Sequence, residues 1–209
     1  MAAARRTLRA VGLTAASGAA FGAGLGAMPA LAAPAVYDLD PAHSFVHFEV
    51  LHFGTATLRG RFGPVQGTVT LDAAEGRGAG TGTGTGEIGL RIPTAGVDTG
   101  LKILDARLRQ SDLLSSEAHP EVFFVASRLR WDGPRLAEVR GEFTFRGISQ
   151  PLSLTALHYA CRQDTRLQRE VCGGDFEAHF NRGDFGASFG LPFVADRVRL
   201  VIQVEGVRR

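Results

Sequence analysis

From residue 33 onward, hydrophobic and polar residues alternate with a period of two over many short segments. This alternation is typical of β-strands that bury one face and leave the other in water. In segment 45–51 it places Val46, Phe48 and Val50 on one side and Glu49 on the other. Later segments repeat the pattern, with apolar residues at Val69 and Leu71; Ile88, Leu90 and Ile92; Val122, Phe124 and Ala126; Phe143 and Phe145; Leu152 and Leu154; and Val198, Leu200, Ile202 and Val204.

Turn residues separate these segments, among them Gly63-Pro64, Asp132-Gly133-Pro134, Gly147 and Gly173-Gly174. The 27 glycines are about twice the usual share of a 209-residue chain, which favours tight turns over long helices. Short antiparallel strands with a single apolar face must close that face against another layer. The pattern therefore predicts an all-β fold, either a sandwich or a barrel.

One segment, Thr99 to Leu114, departs from the period of two and predicts an amphipathic helix. Its apolar residues follow a spacing of three and four, at Leu101, Leu104 and Leu108. Asp98 or Thr99 is available as N-cap, and Asp105 and Arg109 are spaced for an ion pair on one helix face. Two roles stay open for this helix: a lid over a barrel mouth, or a connection that covers an edge.

Alternating glycine and threonine between residues 79 and 86 form a low-complexity stretch, which we expect to be a mobile hairpin loop. Residues 84–89 also match the G-x-G-x-x-G pattern of dinucleotide-binding folds. That pattern requires a helix directly after the glycines, whereas the next residues, 90–93, read as a strand ending at proline. We therefore attribute the match to chance.

The N-terminal segment has the composition of an export signal. Residues 1–32 contain three arginines and no acidic residue, followed by an Ala/Gly/Leu run and the small-residue site Ala30-Leu31-Ala32. We expect cleavage after Ala32, which leaves residues 33–209 as one exported, periplasmic domain. The pair Arg5-Arg6 fits a twin-arginine signal as well as a general secretory signal, and both routes stay open.

Charge makes nucleic acid an unexpected partner. The chain has 23 basic and 21 acidic residues, so removing the three arginines of the signal segment leaves 20 against 21. No run of Lys and Arg remains that could follow a phosphate backbone.

Cys161 and Cys172 are the two cysteines of the chain, and they do not form a C-x-x-C motif. In an exported protein we expect them to form a disulfide, which would stabilise the fold by about 3 kcal/mol in the chain-entropy model. A zinc site built on these cysteines and His158 would need a fourth ligand that the sequence does not offer.

The stretch HSFVHFEVLHFG, residues 43–54, raises the question of a metal or catalytic site. On a strand, His43 and His47 lie about 13 Å apart, and His52 points to the opposite face, so they cannot share one ion. No G-x-S-x-G motif or other recognisable catalytic order of residues occurs. We therefore expect no metal, no required cofactor and no enzymatic activity.

The apolar side of this stretch offers the alternative of a container. Phenylalanine supplies 14 of the 17 aromatic residues, so a closed barrel would present many apolar rings to its interior. Such an interior holds a long hydrocarbon ligand or is filled by its own side chains, and composition leaves both possibilities open. His52 would lie at the inward rim.

Several motifs occur in a characteristic order: YDLDPAHSFVHFEVLHFG, LRGRFG, DTGLKILDARLRQSDLL, HPEVFF, GEFTFRGISQPLSL and NRGDFG. Together, over residues 36–207, they closely resemble the YceI-like family of exported lipocalin-like proteins. The segment from Cys161 to Cys172 is similar to the disulfide-bearing branch of that family. Arg107 stands where many relatives carry histidine, and Leu113 and Leu114 stand where aromatic residues are common.

The resemblance implies an extended eight-stranded antiparallel barrel with one accessory helix. It also implies non-enzymatic binding of a polyisoprenoid or another long-chain lipid, such as a quinone or fatty-acid derivative, for carriage or storage. The alternatives are an enzyme acting on an amphiphilic substrate and a quinone-presenting partner of a membrane redox protein, as monomer or homodimer. The expected ligand-binding residues are Val46, Phe48, Val50, His52, Phe124, Phe143, Phe145, Asn181, Arg182, Asp184 and Phe185.

Overall fold

The computed structural model describes residues 33–71 and 82–209, and this part of the chain is mostly β-structure. The predicted signal segment, residues 1–32, lies outside the described residues. Two short 3₁₀ turns occupy Thr94–Gly96 and Arg182–Phe185. The other elements are β1 Ala35–Leu39, β2 Phe45–His52, β3 Ala56–Phe62, β4 Gln66–Leu71, β5 Gly82–Pro93, α1 Lys102–Leu108, β6 Glu121–Asp132, β7 Arg135–Phe145, β8 Ile148–Asp164, β9 Arg169–Asn181 and β10 Val194–Arg208.

The strands form a closed antiparallel barrel. Strands β4 to β10 each pair with the next in sequence order, and β10 closes the ring on both β1 and β2. β1 and β2 lie end to end and both pair with β10. On their other side, β4 pairs with β1 and β3 pairs with β2. The ten segments therefore fill eight strand positions. The predicted eight-stranded antiparallel barrel with one helix is confirmed.

The two interrupted strand positions are fixed to one another at their breaks. Ser44, between β1 and β2, exchanges hydrogen bonds with Glu205 of β10: its Oγ donates to the carbonyl at 3.3 Å and accepts from the N–H at 3.2 Å. The N–H of Val65, between β3 and β4, donates to the Ser44 carbonyl at 3.0 Å. Both side chains are fully buried, so the polar groups at the breaks are satisfied inside the protein.

The helix is shorter than predicted, and its predicted N-cap and its predicted ion pair are wrong. α1 covers Lys102–Leu108, and Leu101 precedes it in extended backbone without a side-chain cap. Gly100, with φ of 79°, turns the chain just before the helix, which explains why the helix cannot begin at Thr99.

Asp105 does not pair with Arg109 as predicted. Its Oδ1 accepts hydrogen bonds from the backbone N–H of Thr99 at 2.8 Å and from the Thr99 hydroxyl at 2.7 Å. The Asp105 side chain is therefore used to hold the loop that enters α1, and it is only 1% exposed.

The glycine–threonine repeat is not a loop over its described part. Residues 82–86 belong to β5 and pair with β4 and β6. Gly84 and Gly86 face the interior, and a Cβ atom on Gly86 would lie 2.6 Å from the Thr70 carbonyl oxygen. The close approach of β4 therefore explains the glycine at this position.

The barrel has two distinct ends. The helix end carries α1, the β7–β8 turn and the 182–193 connection, and the disulfide end carries Cys161 on β8 and Cys172 on β9. These two residues are direct cross-strand partners and form the predicted disulfide, with Cα atoms 4.0 Å apart. No helix within 33–71 and 82–209 is both long and apolar enough to cross a bilayer.

Candidate functional site

The inward faces of the strands enclose an apolar cavity of about 150 Å³ near the helix end, called here the helix-end cavity. Six of the predicted ligand-binding residues line it, and each is less than 10% exposed: Val46, Phe48, Val50, Phe124, Phe143 and Phe145. Alternation along β2, β6 and β7 points these side chains inward, since every second residue of a strand faces the same side.

A second apolar cavity of about 80 Å³ lies toward the disulfide end and is called here the disulfide-end cavity. Trp131 and Leu136 line it, and the Trp131 indole contacts the Tyr159 ring edge-on at 5.9 Å. Four side chains line both cavities and form the constriction between them: Leu90, Phe124, Leu154 and Ile202. The two cavities therefore lie in series along the barrel interior.

Arg182 is the one polar side chain among the residues lining the helix-end cavity, and its guanidinium is already occupied. It donates to four backbone carbonyls of the 187–195 segment, those of Ala187, Phe189, Val194 and Ala195. Burial lowers the pKa of this guanidinium from its usual value, and within 33–71 and 82–209 its side-chain hydrogen bonds go to backbone carbonyls. Arg182 thus holds the 182–195 segment together and leaves the cavity surface apolar.

The other predicted residues of the 181–186 turn lie elsewhere. Asn181 and Asp184 are exposed and line a groove on the outer surface, so they do not reach the cavity. Phe185 is 3% exposed and packs between Phe143 and Phe145 at centroid distances of 5.4 and 5.7 Å. It supports the cavity wall from behind.

His52 does not face the cavity, contrary to the prediction. It is exposed at the end of β2, and its ring packs edge-on against Phe53 at 4.6 Å. His52 has the same alternation as Val46, Phe48 and Val50, but an inward-pointing side chain is buried only where the barrel wall extends past it. Val50 is the last buried residue of β2, and His52 lies beyond it.

The 94–120 connection contributes cavity residues that were not among the predicted ligand-binding residues. Leu108, Leu113 and Leu114 line the helix-end cavity, so the helix and the turns after it cover this end of the barrel. Arg146, in the β7–β8 turn, fixes them: its Nη1 donates to the carbonyls of Ser111 at 2.6 Å and Leu113 at 2.7 Å. The helical spacing indicated burial of Leu108 alone among these three leucines, and no pattern indicated the role of Arg146.

The outer face of β2 is ionic, as its alternation predicts. Glu49 accepts from Arg59 at 2.8 Å and from Arg199 at 2.9 Å, and Arg199 also donates to Glu177 at 2.7 Å. Hydrogen bonds from Arg59 and Arg199 lower the pKa of Glu49. Phe48 and Glu49 therefore lie on opposite sides of one wall.

Titratable side chains do not converge on a metal site in the described part of the chain. No three His, Cys, Asp or Glu residues within 33–71 and 82–209 are placed to share an ion. His43 instead pairs with Asp40, with 2.6 Å between Nδ1 and Oδ2.

Curated relatives match the chain over most of its length. A UPF0312 protein of Azotobacter vinelandii is 29% identical over 191 residues, covering 88% of this chain and 92% of the relative. A UPF0312 protein of Pectobacterium carotovorum is 28% identical over 180 residues, covering 86% and 89%.

Solved structures share the fold at lower identity. BcnA of Burkholderia cenocepacia superposes with a TM-score of 0.63 at 20% identity, covering 80% of this chain and 99% of BcnA. A polyisoprenoid binding domain from Saccharophagus degradans gives a TM-score of 0.56 at 16% identity, covering 83% and 98%. The YceI-like domain model matches residues 37–206, from within β1 to within β10. The chain therefore belongs to the YceI-like domain family.

Proposed function

We propose that this protein is a non-enzymatic binding protein that holds one polyisoprenoid or other long-chain lipid inside its barrel, for carriage or storage in the periplasm. The observation that carries the proposal is the pair of apolar cavities in series along the barrel interior. The related fold of a polyisoprenoid binding domain supports the ligand class. The Cys161–Cys172 disulfide supports an oxidising compartment.

The side chains around the cavities favour binding over catalysis. General acid–base catalysis needs a group that exchanges protons near the working pH. Tyr159, beside the disulfide-end cavity, has its pKa raised by burial to about 12, and burial also raises the pKa of Tyr37. Arg182 is committed to backbone carbonyls, and Cys172 is held in the disulfide.

The size of the cavities sets how a long chain would be held. An apolar cavity of about 150 Å³ takes a guest about the size of benzene, so a longer chain must also pass the constriction. Each buried methylene contributes about 0.8 kcal/mol, so about fifteen to twenty of them contribute roughly 12–16 kcal/mol against association costs of roughly 4–15 kcal/mol. We therefore expect a long chain to occupy both cavities and to displace side chains at Phe124.

The proposal is tested by native mass spectrometry of the protein purified from its own host, followed by lipid extraction. We expect the wild-type protein to carry an apolar lipid. Phe48→Asp should lose it, because a carboxylate at this position places a charge in a dry cavity. Glu49→Ala is the matched control on the outer face and should keep it. Equal lipid content in the two variants would contradict the proposal.

A further inference from the structure

The barrel wall opens at the seam between β8 and β9 near the helix end. Pairing between these strands ends at Thr155 opposite Glu177. Beyond this point the strands do not pair: both residues 148–154 of β8 and residues 178–181 of β9 lie in the described part of the chain, and no β-pairing joins them. Pro151 pairs with Glu142 of β7 but lies in the part of β8 that does not pair with β9, as expected for a strand edge, because proline has no backbone N–H to donate.

Side chains close this seam in place of backbone. Phe143, Leu152 and Phe180 line the helix-end cavity on the inside and a groove of about 370 Å³ on the outside. The Phe180 ring contacts Phe143 at 5.1 Å and Phe185 at 5.5 Å between centroids. At the seam, single side chains therefore separate the cavity from the outer groove. Rotation of these side chains opens the wall faster than the separation of paired strands would.

The outer groove is rimmed mostly by side chains that can donate hydrogen bonds to oxygen atoms. Its polar lining residues are Gln150, His179, Asn181, Asp184 and Arg197. Arg197 is exposed and lies directly opposite Asn181 in the β9–β10 pairing. Among the described contacts, Arg197 forms no ion pair or side-chain hydrogen bond, and Asp184 is the one carboxylate lining the groove. The groove thus offers a free guanidinium next to an entrance to the apolar interior.

We propose that this seam binds the head of a single-chain amphiphile. A carboxylate head lies in the groove against Arg197 and Asn181, and its hydrocarbon chain passes between Leu152 and Phe180 into the helix-end cavity. A head with one negative charge is preferred over a doubly charged phosphate monoester, because Asp184 repels the second charge. This inference rests on the proposed function, since it requires a cavity that accepts the chain.

The experiment compares two ligands with the same chain on the full-length, delipidated protein. Isothermal titration calorimetry measures the affinity for dodecanoate and for methyl dodecanoate, which lacks the charge. Arg197→Gln should weaken dodecanoate binding about tenfold, as loss of one charge-assisted hydrogen bond implies, and leave methyl dodecanoate unchanged. The matched control Arg128→Gln, on the outer face of β6, should change neither affinity.

The outcomes separate this inference from the proposed function. If both ligands bind and Arg197→Gln leaves dodecanoate affinity unchanged, the head site is wrong and the cavity stands. If Arg197→Gln weakens both ligands equally, Arg197 does not recognise the head, and the inference also fails. If neither dodecanoate nor methyl dodecanoate binds the wild-type protein, the proposed function fails and the head site fails with it.

Discussion

Phe48 illustrates how single side chains shape the cavity wall. Its ring lies over Gly60 of β3, where a Cβ atom would come within 2.6 Å of the ring. It also contacts the Phe62 ring at a centroid distance of 5.3 Å. Glycine at position 60 lets the ring lie against the neighbouring strand, so the burial of Phe48 depends on a residue twelve positions away in the chain.

At the residue scale we predict that Asp105 makes stability depend on pH. Hydrogen bonds from the Thr99 hydroxyl and N–H lower the pKa of Asp105 in the folded protein. Because the pKa of Asp105 is lower in the folded protein than its value of about 3.9 in the unfolded chain, the ionised carboxylate stabilises the fold above that pH. This contribution is lost as pH falls through the folded-state pKa. Asp105→Asn should therefore lower the melting temperature at pH 7, and its difference from wild type should shrink in acid.

Thermal unfolding monitored by circular dichroism between about pH 7 and pH 3 measures this difference. Asp132→Asn is the matched control, because Asp132 is exposed at the end of β6 and its ion pair with the exposed Arg135, at 3.3 Å, is of a type that contributes little. A difference between wild type and Asp105→Asn that stays constant across this range would contradict the role assigned to the carboxylate.

At the element scale, the 182–195 segment is held by one guanidinium. Four carbonyls accept from Arg182, and the Gly183 N–H donates to Asp196 Oδ1 at 2.7 Å. A buried carbonyl without a donor costs about 1–3 kcal/mol. Lysine offers three donors from one nitrogen and cannot span the carbonyls that the planar guanidinium reaches.

We therefore predict that Arg182→Lys destabilises the fold by about 1–3 kcal/mol. Chemical denaturation should show a lower midpoint with an unchanged slope. Arg166→Lys, in the exposed β8–β9 turn, is the control and should leave the midpoint unchanged. A midpoint for Arg182→Lys equal to that of wild type would show that the segment is held by other contacts.

α1 shows where an element defined by sequence spacing fails. The predicted helix ran from Thr99 to Leu114, but the structure keeps only Lys102–Leu108. Leu101, placed on its apolar face, is 55% exposed, whereas Asp105 is buried. The spacing correctly signalled a helix that covers apolar surface. Its start depends on the Gly100 turn, and Arg146 holds the turns after it through the Ser111 and Leu113 carbonyls; spacing encodes neither feature.

At the scale of the whole molecule, the series of cavities predicts how affinity depends on ligand length. Each methylene added to a fatty-acid methyl ester should raise affinity about fourfold while the chain fills the helix-end cavity, since each contributes about 0.8 kcal/mol. The gain per methylene should fall where the chain meets the constriction at Phe124.

Phe124→Ala should extend the steep part of this series to longer chains, because it widens the constriction. Phe123→Ala is the matched control, since Phe123 faces outward and is 42% exposed. Fluorescence displacement titrations over a series of chain lengths measure both slopes. The same slope in wild type and Phe124→Ala would show that a ligand does not pass between the cavities.

The sequence by itself determined most of the strands, their inward faces and the cysteine pair, although it did not indicate that residues 82–86 belong to β5. Alternation at Val46, Phe48 and Val50 fixes which side chains avoid water, because neighbouring residues of a strand must face opposite sides. The tertiary structure alone decided that Arg182 turns to backbone carbonyls, that His52 lies beyond the wall, and that β8 and β9 separate at the seam. These features depend on contacts between residues far apart in the chain, where position in space, and not periodicity, sets what a side chain touches.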